Sequence, residues 1–215
     1  MAVDFRDEAP AILKDYLIYK QTIKNMSKKT VDEYFIDLRT FFRFLKVMRG
    51  LVPDGTDFDE IKIDDVDLDL IKTVNLELAY DYMNFLYRDR NNKSASRARK
   101  CSSLKGFFKY ITNNKHLLDT NPVEQLESPK NKKALPKYLT LEQSIELLNA
   151  VDGNNKQRDY CILTLFLNCG LRVSEMAGLN YNDIHSDGTM RVVGKGNKER
   201  IVYLTLLALT LIMSI

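Results

Sequence analysis

In the N-terminal half of the chain, apolar residues recur at three- and four-residue steps in four segments, and the glycines and prolines that punctuate structure fall between them. This pattern predicts amphipathic helices. The first runs from about Pro10 to Lys24, with Ile12, Leu13, Tyr16 and Leu17 on one side. The second, about Lys28 to Arg49, sets Val31, Tyr34, Phe35, Leu38, Phe41, Phe42 and Leu45 on one stripe, and Gly50 is placed to end it in a left-handed conformation. The third, about Val74 to Arg90, uses Leu78, Tyr82, Phe85 and Leu86. The fourth opens at a capping Ser94 and turns Ala98, Cys101, Leu104, Phe108 and Ile111 inward, which leaves Arg97, Lys100 and Lys105 free to face elsewhere. Four such helices predict a small bundle over residues 1–118.

Between Asp119 and Thr140 the periodicity lapses. Asn121-Pro122, Ser128-Pro129, the basic run Lys130, Lys132 and Lys133, and then Pro136 all disfavour regular structure. Residues 119–139 therefore read as an extended basic linker, with a second domain over 140–215. There Thr140 and Gln143 form a capping box that opens a helix carrying Ile145, Leu147, Leu148 and Val151. A helix from about Lys156 to Cys169 has a nearly unbroken apolar middle, Tyr160 to Leu167, which predicts burial on most sides; Gly170 stops it. A short helix, Val173 to Leu179, and a turn-rich stretch follow. Met190–Val193 and Arg200–Leu204 read as strands flanking Gly194-Lys195-Gly196-Asn197-Lys198. The fold class expected is mainly α: a four-helix N-terminal domain, then a mixed α+β portion with one small antiparallel hairpin.

Composition adds little to this. The 215 residues are 45% hydrophobic and 28% charged, as in ordinary globular chains. Three cysteines without a CxxC spacing indicate neither a disulfide framework nor a structural zinc, and fit a reducing cytoplasm. Acidic residues before any apolar stretch exclude a secretory signal of the usual shape. The net charge of +3 hides an uneven distribution. Asp54 to Asp69 holds eight acids against Lys62, and Arg88 to Lys109 holds eight bases against Asp89. Two opposed faces are expected, the basic one suited to a polyanion or else a solvated helix face.

Two short motifs carry candidate chemistry. Gly170-Leu171-Arg172-Val173-Ser174-Glu175 puts an arginine at a helix junction, where its planar fork can meet a phosphate with Glu175 to orient it. A structural Arg-Glu pair fits the same residues. The hairpin turn offers Lys195, Lys198 and Arg200, either as an anion-facing loop or as a solvated surface turn; it lacks the spacing and context of a nucleotide-binding loop.

Together, Gly170–Glu175 followed by Gly194-Lys195-Gly196-Asn197-Lys198-Glu199-Arg200 resemble the catalytic domain of tyrosine recombinases of the Xer and phage-integrase family. The entry Leu135-Pro136-Lys137-Tyr138-Leu139-Thr140 and the aromatic-rich helical domain are similar to that family too. The resemblance implies a SAM-like core-binding domain, a partial catalytic domain, and cleavage and rejoining of duplex DNA through a phosphotyrosyl bond, with no metal, cofactor or nucleotide. It implies that Arg172 neutralises the non-bridging oxygens, that Lys195 is general acid on the leaving oxygen, and that Glu175 supports the site. It casts Lys198, Arg200, Arg97, Lys100, Lys105, Lys130, Lys132 and Lys133 as DNA contacts, with further protomers as partners on DNA.

The family completes its site downstream of the hairpin with His-x-x-Arg and a nucleophilic tyrosine. Here both histidines, His116 and His185, precede Lys195, and Tyr203 lies within a predicted strand, so no nucleophile is assigned. From Ile201 to Ile215 there is no charged residue, in a stretch shorter than the roughly 20 residues needed to span a bilayer. An incomplete catalytic domain is therefore expected, through a reading frame interrupted near Thr205, a deliberately shortened chain or a naturally short form. Two other readings remain at this point: a DNA-binding module that does not cut, and a helical interaction scaffold.

Overall fold

The computed structural model describes residues 8–130, 135–194 and 196–213. The chain divides into two compact units, Met1–Lys133 and Ala134–Ile215.

The first unit is helical. Helix α1 (Ala11–Thr22) starts behind Pro10, whose missing N–H costs nothing at a helix start, and buries Leu13, Tyr16 and Leu17. Helix α2 (Lys28–Met48) is capped by Ser27, whose Oγ accepts from the Thr30 N–H, and Gly50 follows it at φ 64°. Helices α3 (Leu68–Lys72), α4 (Leu76–Arg88) and α5 (Ser94–Asn113) complete the unit. Asp67 and Asn75 cap α3 and α4 by accepting from Leu70 N–H and Leu78 N–H, each at 2.8 Å. The core is aromatic: Phe41 meets Tyr82 edge-on at 5.1 Å, and Phe107 meets both Phe42 and Tyr16 at 5.5 Å.

Several expectations change here. Lys93, not Ser94, takes the N-cap position of α5, and no side chain caps that end. The acidic run is not a separate face. It holds a 3-10 turn, Phe58–Glu60, and leads into α3, and Asp59 pairs with Arg43 (3.4 Å) and with Arg90 of the basic run (3.0 Å), while Asp65 pairs with Lys46 (2.7 Å). Residues at the start of the expected linker are core: Val123 and Leu126 are fully buried, and Leu126 C=O accepts from Lys105 Nζ at 3.0 Å.

The second unit opens with α6 (Leu141–Asn149), where Thr140 Oγ1 accepts from Gln143 N–H and Gln143 Oε1 accepts from Thr140 N–H. Helix α7 (Lys156–Cys169) ends at Gly170, left-handed at φ 57°. Helix α8 (Val173–Ala177) and a 3-10 turn, Tyr181–Asp183, lead into strands β1 (Thr189–Val193) and β2 (Glu199–Tyr203). The strands pair antiparallel, with Met190 opposite Val202 and Val192 opposite Arg200. Helix α9 (Leu206–Met213) follows. The core is small: Cys161, Leu165, Leu171, Met190, Val192 and Ala208. Burial on most sides of α7 is not found, because only Cys161, Thr164 and Leu165 are buried and Leu167 is exposed. The apolar stripe of α6 is likewise uncovered at Leu141, Ile145 and Leu147. No helix among the described residues is long and apolar enough to cross a membrane, and no group of side chains among them is arranged to hold a metal ion.

Candidate functional site

The left-handed turn at Gly170 breaks the chain direction and puts Arg172 at the N-cap of α8 in extended backbone. Glu175, one helical turn later, faces inward with its side chain 1% exposed. Its Oε2 accepts from Arg172 N–H at 2.9 Å, and its Oε1 accepts from Arg172 Nη1 at 2.7 Å. The expected orienting contact is therefore present, while the Arg172 side chain remains 69% exposed.

A third residue joins the pair. Arg200 Nη1 donates to Glu175 Oε1 and Arg200 Nη2 to Oε2, both at 2.8 Å, so the guanidinium grips the carboxylate end-on. Strand register explains the approach. Arg200 lies opposite Val192 and shares its side of the hairpin with Met190 and Val202, the side that packs on the core. Period-two alternation from Val202 would have placed it there from sequence. Gly194 permits the close passage, since a Cβ there would lie 3.1 Å from Glu175 Oε1. The Arg200 fork, followed by Arg172 N–H, holds the Glu175 carboxyl down at about 2. The site carries two guanidinium charges against one carboxylate.

A second ion pair braces the hairpin. Arg191 Nη2 and Nε donate to Asp183 Oδ1 at 2.9 and 3.1 Å, and these contacts lower the Asp183 carboxyl. Nothing in the motif reading pointed to this pair. Tyr203 stands opposite Thr189 on the other side of the hairpin from Arg200, 80% exposed.

The remaining expected residues separate into three groups. Lys195, Lys132 and Lys133 lie outside the described residues, so the expected convergence of Lys195 and Arg172 is not described. Lys198 and Lys130 are described and both are exposed, Lys198 at the hairpin turn. Three lie in the first unit on α5, where the expectation of outward-facing bases needs correcting. Lys100 is buried, its side chain 9% exposed, and donates to Asp37 Oδ1 at 3.0 Å. Lys105 is tied to Leu126 C=O, and Arg97 stacks over the Tyr87 ring at 4.7 Å. Burying an ammonium is costly unless it is paired, and Asp37 supplies that pair.

Comparison with known proteins sets this geometry in a lineage. Residues 13–115 match the family described as "Phage integrase, N-terminal SAM-like domain", and residues 137–215 match "Phage integrase family". The chain belongs to the phage integrase family. Within the family it is similar to tyrosine recombinase XerC of Caldanaerobacter subterraneus subsp. tengcongensis, 50% identical over 195 residues, covering 91% of this chain and 55% of that protein. It is also similar to XerC of Syntrophus aciditrophicus, 34% identical over 194 residues, covering 89% and 58%. This phage-integrase chain thus spans a little over half the length of these curated relatives. Its fold is similar to XerH site-specific recombinase bound to palindromic difH substrate in a post-cleavage complex (TM-score 0.66, 18% identity, 94% of this chain and 55% of that one). It is similar also to a lambda integrase dimer bound to a COC' core site (TM-score 0.60, 19% identity, 92% and 64%).

Proposed function

We propose that this chain is the DNA-binding and phosphate-neutralising portion of a tyrosine-type site-specific recombinase, acting on duplex DNA in the cytoplasm. One observation carries the reading: Arg172, exposed at the junction of two helices, is fixed by a buried carboxylate that a second arginine also holds. A guanidinium held this way presents donors to a phosphate without having to be ordered first. In cleavage, the phosphorane gathers negative charge on its non-bridging oxygens, and Arg172 is the residue to neutralise it. Lys195 in the hairpin turn is assigned as general acid on the departing oxygen, and Lys198 and Lys130 as backbone contacts, with Lys132 and Lys133 beside it in sequence. Arg97 and Lys105 contribute positive potential from α5. Of the recombinases similar in fold, XerH is bound to its difH substrate and the lambda integrase dimer to a core site, and other protomers on DNA are the partners this reading expects.

Duplex binding tests it. The affinity of the chain for a labelled duplex should fall linearly on a log-log plot against salt, and Arg172→Gln should weaken binding and reduce the slope by about one. Salt-independent or undetectable binding at low ionic strength would overturn the assignment.

A second reading is favoured by Tyr203. Its hydroxyl is on the face of the hairpin away from Arg200 and Glu175, and both histidines precede Lys195. These 215 residues by themselves then occupy a recombination site without cutting it. A suicide substrate that traps phosphotyrosyl DNA separates the two: a covalent adduct supports cleavage, and binding without adduct supports occupancy alone.

A further inference from the structure

Arg200 is the residue whose position differs most from the role its sequence suggests. We propose that Arg200 is a positioning residue that locks Glu175 in the orientation presenting Arg172 to a phosphate, and that it does not itself contact DNA. The proposal rests on the reading of Arg172 given above.

The donor and acceptor accounting supports it. A carboxylate offers about four lone-pair sites, and Glu175 fills them with four donors: Arg172 N–H, Arg172 Nη1, Arg200 Nη1 and Arg200 Nη2. Both terminal nitrogens of Arg200 face the carboxylate, so the end-on edge that matches a phosphate is already occupied. Arg172 commits only one side-chain nitrogen and is the more exposed of the two, at 69% against 39%. Of the two guanidiniums, Arg172 is therefore the one left with an open edge.

Chain topology gives the contact its purpose. Arg172 and Glu175 are three residues apart on one short helix, and a pair so local can swing together. Arg200 comes from β2, so its fork ties that helix to the hairpin and fixes the carboxylate plane from a separate element. Without it, Glu175 would keep two donors from a single neighbour and half its lone pairs would be unfilled in a buried setting. Gly194 keeps the passage open by presenting no Cβ to Glu175 Oε1.

A double-mutant cycle on the 215-residue chain, read as affinity for a labelled random-sequence duplex, tests this. Arg172→Gln should weaken binding on the order of tenfold. Arg200→Gln should weaken it comparably in the native background, but by less than about twofold once Arg172 is gone. The salt slope should drop by about one in either single variant and no further in the double. Losses that multiply in the double variant, or a slope lower by about two, would overturn the proposal and make Arg200 a direct contact. An unaffected Arg200→Gln would overturn it as well. If Arg172→Gln itself leaves affinity unchanged, the reading of Arg172 fails, and the proposal with it.

Arg200→Lys guards against a fold defect. It keeps the charge and removes the fork, so it should bind as weakly as the glutamine variant; native affinity would show that charge alone suffices. A carbon-13 titration of the Glu175 carboxyl supplies the readout that simple scaffolding would not move. Loss of Arg200 should bring it up from about 2 toward the ordinary carboxylate range.

Discussion

Glu175 is a buried carboxylate whose oxygens both face guanidinium groups, and its acidity follows from that arrangement. Because the folded value, about 2, lies below the ordinary 4.5, the folded state favours the ionised form. The stabilisation is fully present above about pH 4.5 and is lost as pH falls toward about 2. A Glu175→Gln variant cannot ionise, so it lacks this contribution at every pH. The difference in melting temperature between native and variant proteins should therefore be largest near neutrality and shrink across that acidic window. Thermal unfolding followed by circular dichroism in a pH series measures it. A gap that stays constant down to the lowest pH would show that the carboxylate contributes through shape alone.

At the level of elements, α2 and α5 are joined by a buried polar contact inside an otherwise apolar interface. Asp37 accepts from Lys100 Nζ (3.0 Å), Arg99 Nη1 (2.8 Å) and Ser103 Oγ (2.8 Å). Removing one partner from a buried pair strands the other, and the two removals are unequal here. Asp37→Ala leaves the Lys100 ammonium buried without its carboxylate and should cost about 3–5 kcal/mol. Lys100→Met leaves Asp37 still held by Arg99 and Ser103, so its cost should be clearly smaller. Urea unfolding of the two variants gives the comparison; equal losses would contradict this view of the cluster. The α1–α5 contact makes another prediction. Tyr16 Oη is buried with no hydrogen-bond partner among the described residues, and a Cβ at Gly106 would lie 2.7 Å from it. Gly106→Ala should therefore destabilise by about 1–3 kcal/mol despite alanine's better helix propensity. Tyr16→Phe, which removes an unsatisfied hydroxyl, should be near neutral or stabilising and should relieve much of the alanine variant's loss. The same interface explains what could be read in advance. The helices were legible because Val31, Phe35, Leu38, Phe42 and Leu45 repeat the helical period, and Gly170 and the Thr140 box mark ends by local chemistry alone. Lys100 was misread, although it stands four residues before Leu104 and seven before Phe107, squarely on the core stripe. Its placement inside depends on Asp37, 63 residues away, and helical period carries no information about which stripe meets which. Strand alternation gives the side of the hairpin on which Arg200 lies, but its pairing with Glu175, 25 residues away, was hidden for the same reason. The Arg172–Glu175 pair is local and could be anticipated, but the β2 fork that completes it depends on how the hairpin lies against α8.

The chain as a whole is built from two cores of very different size. Among the described residues the first unit buries 28 apolar residues in one cluster, with edge-on and tilted aromatic contacts at its centre, and the second buries six. Burial of apolar surface is the main favourable term in folding, at roughly 25 cal/mol per Å², so the two units should not be equally stable. The second also leaves Leu141, Ile145 and Leu147 of α6 and Leu206 and Leu207 of α9 exposed, which withholds apolar area from its core. Beside this packing it has polar contacts, the Glu175 cluster and the Arg191–Asp183 pair. Urea unfolding should consequently proceed in two transitions, with residues 134–215 losing structure at the lower concentration. Hydrogen exchange assigns them: amides of α7 and β1 should exchange through a lower-energy opening than those of α2 and α5. A single transition, coincident by all probes, would mean that the small unit draws its stability from the large one. Duplex DNA sharpens the test. A ligand stabilises whatever folded state it binds in proportion to the logarithm of its concentration over Kd. If Arg172 meets a phosphate, added duplex should move the lower transition upward, and Arg172→Gln should remove most of that movement while leaving the upper transition where it was.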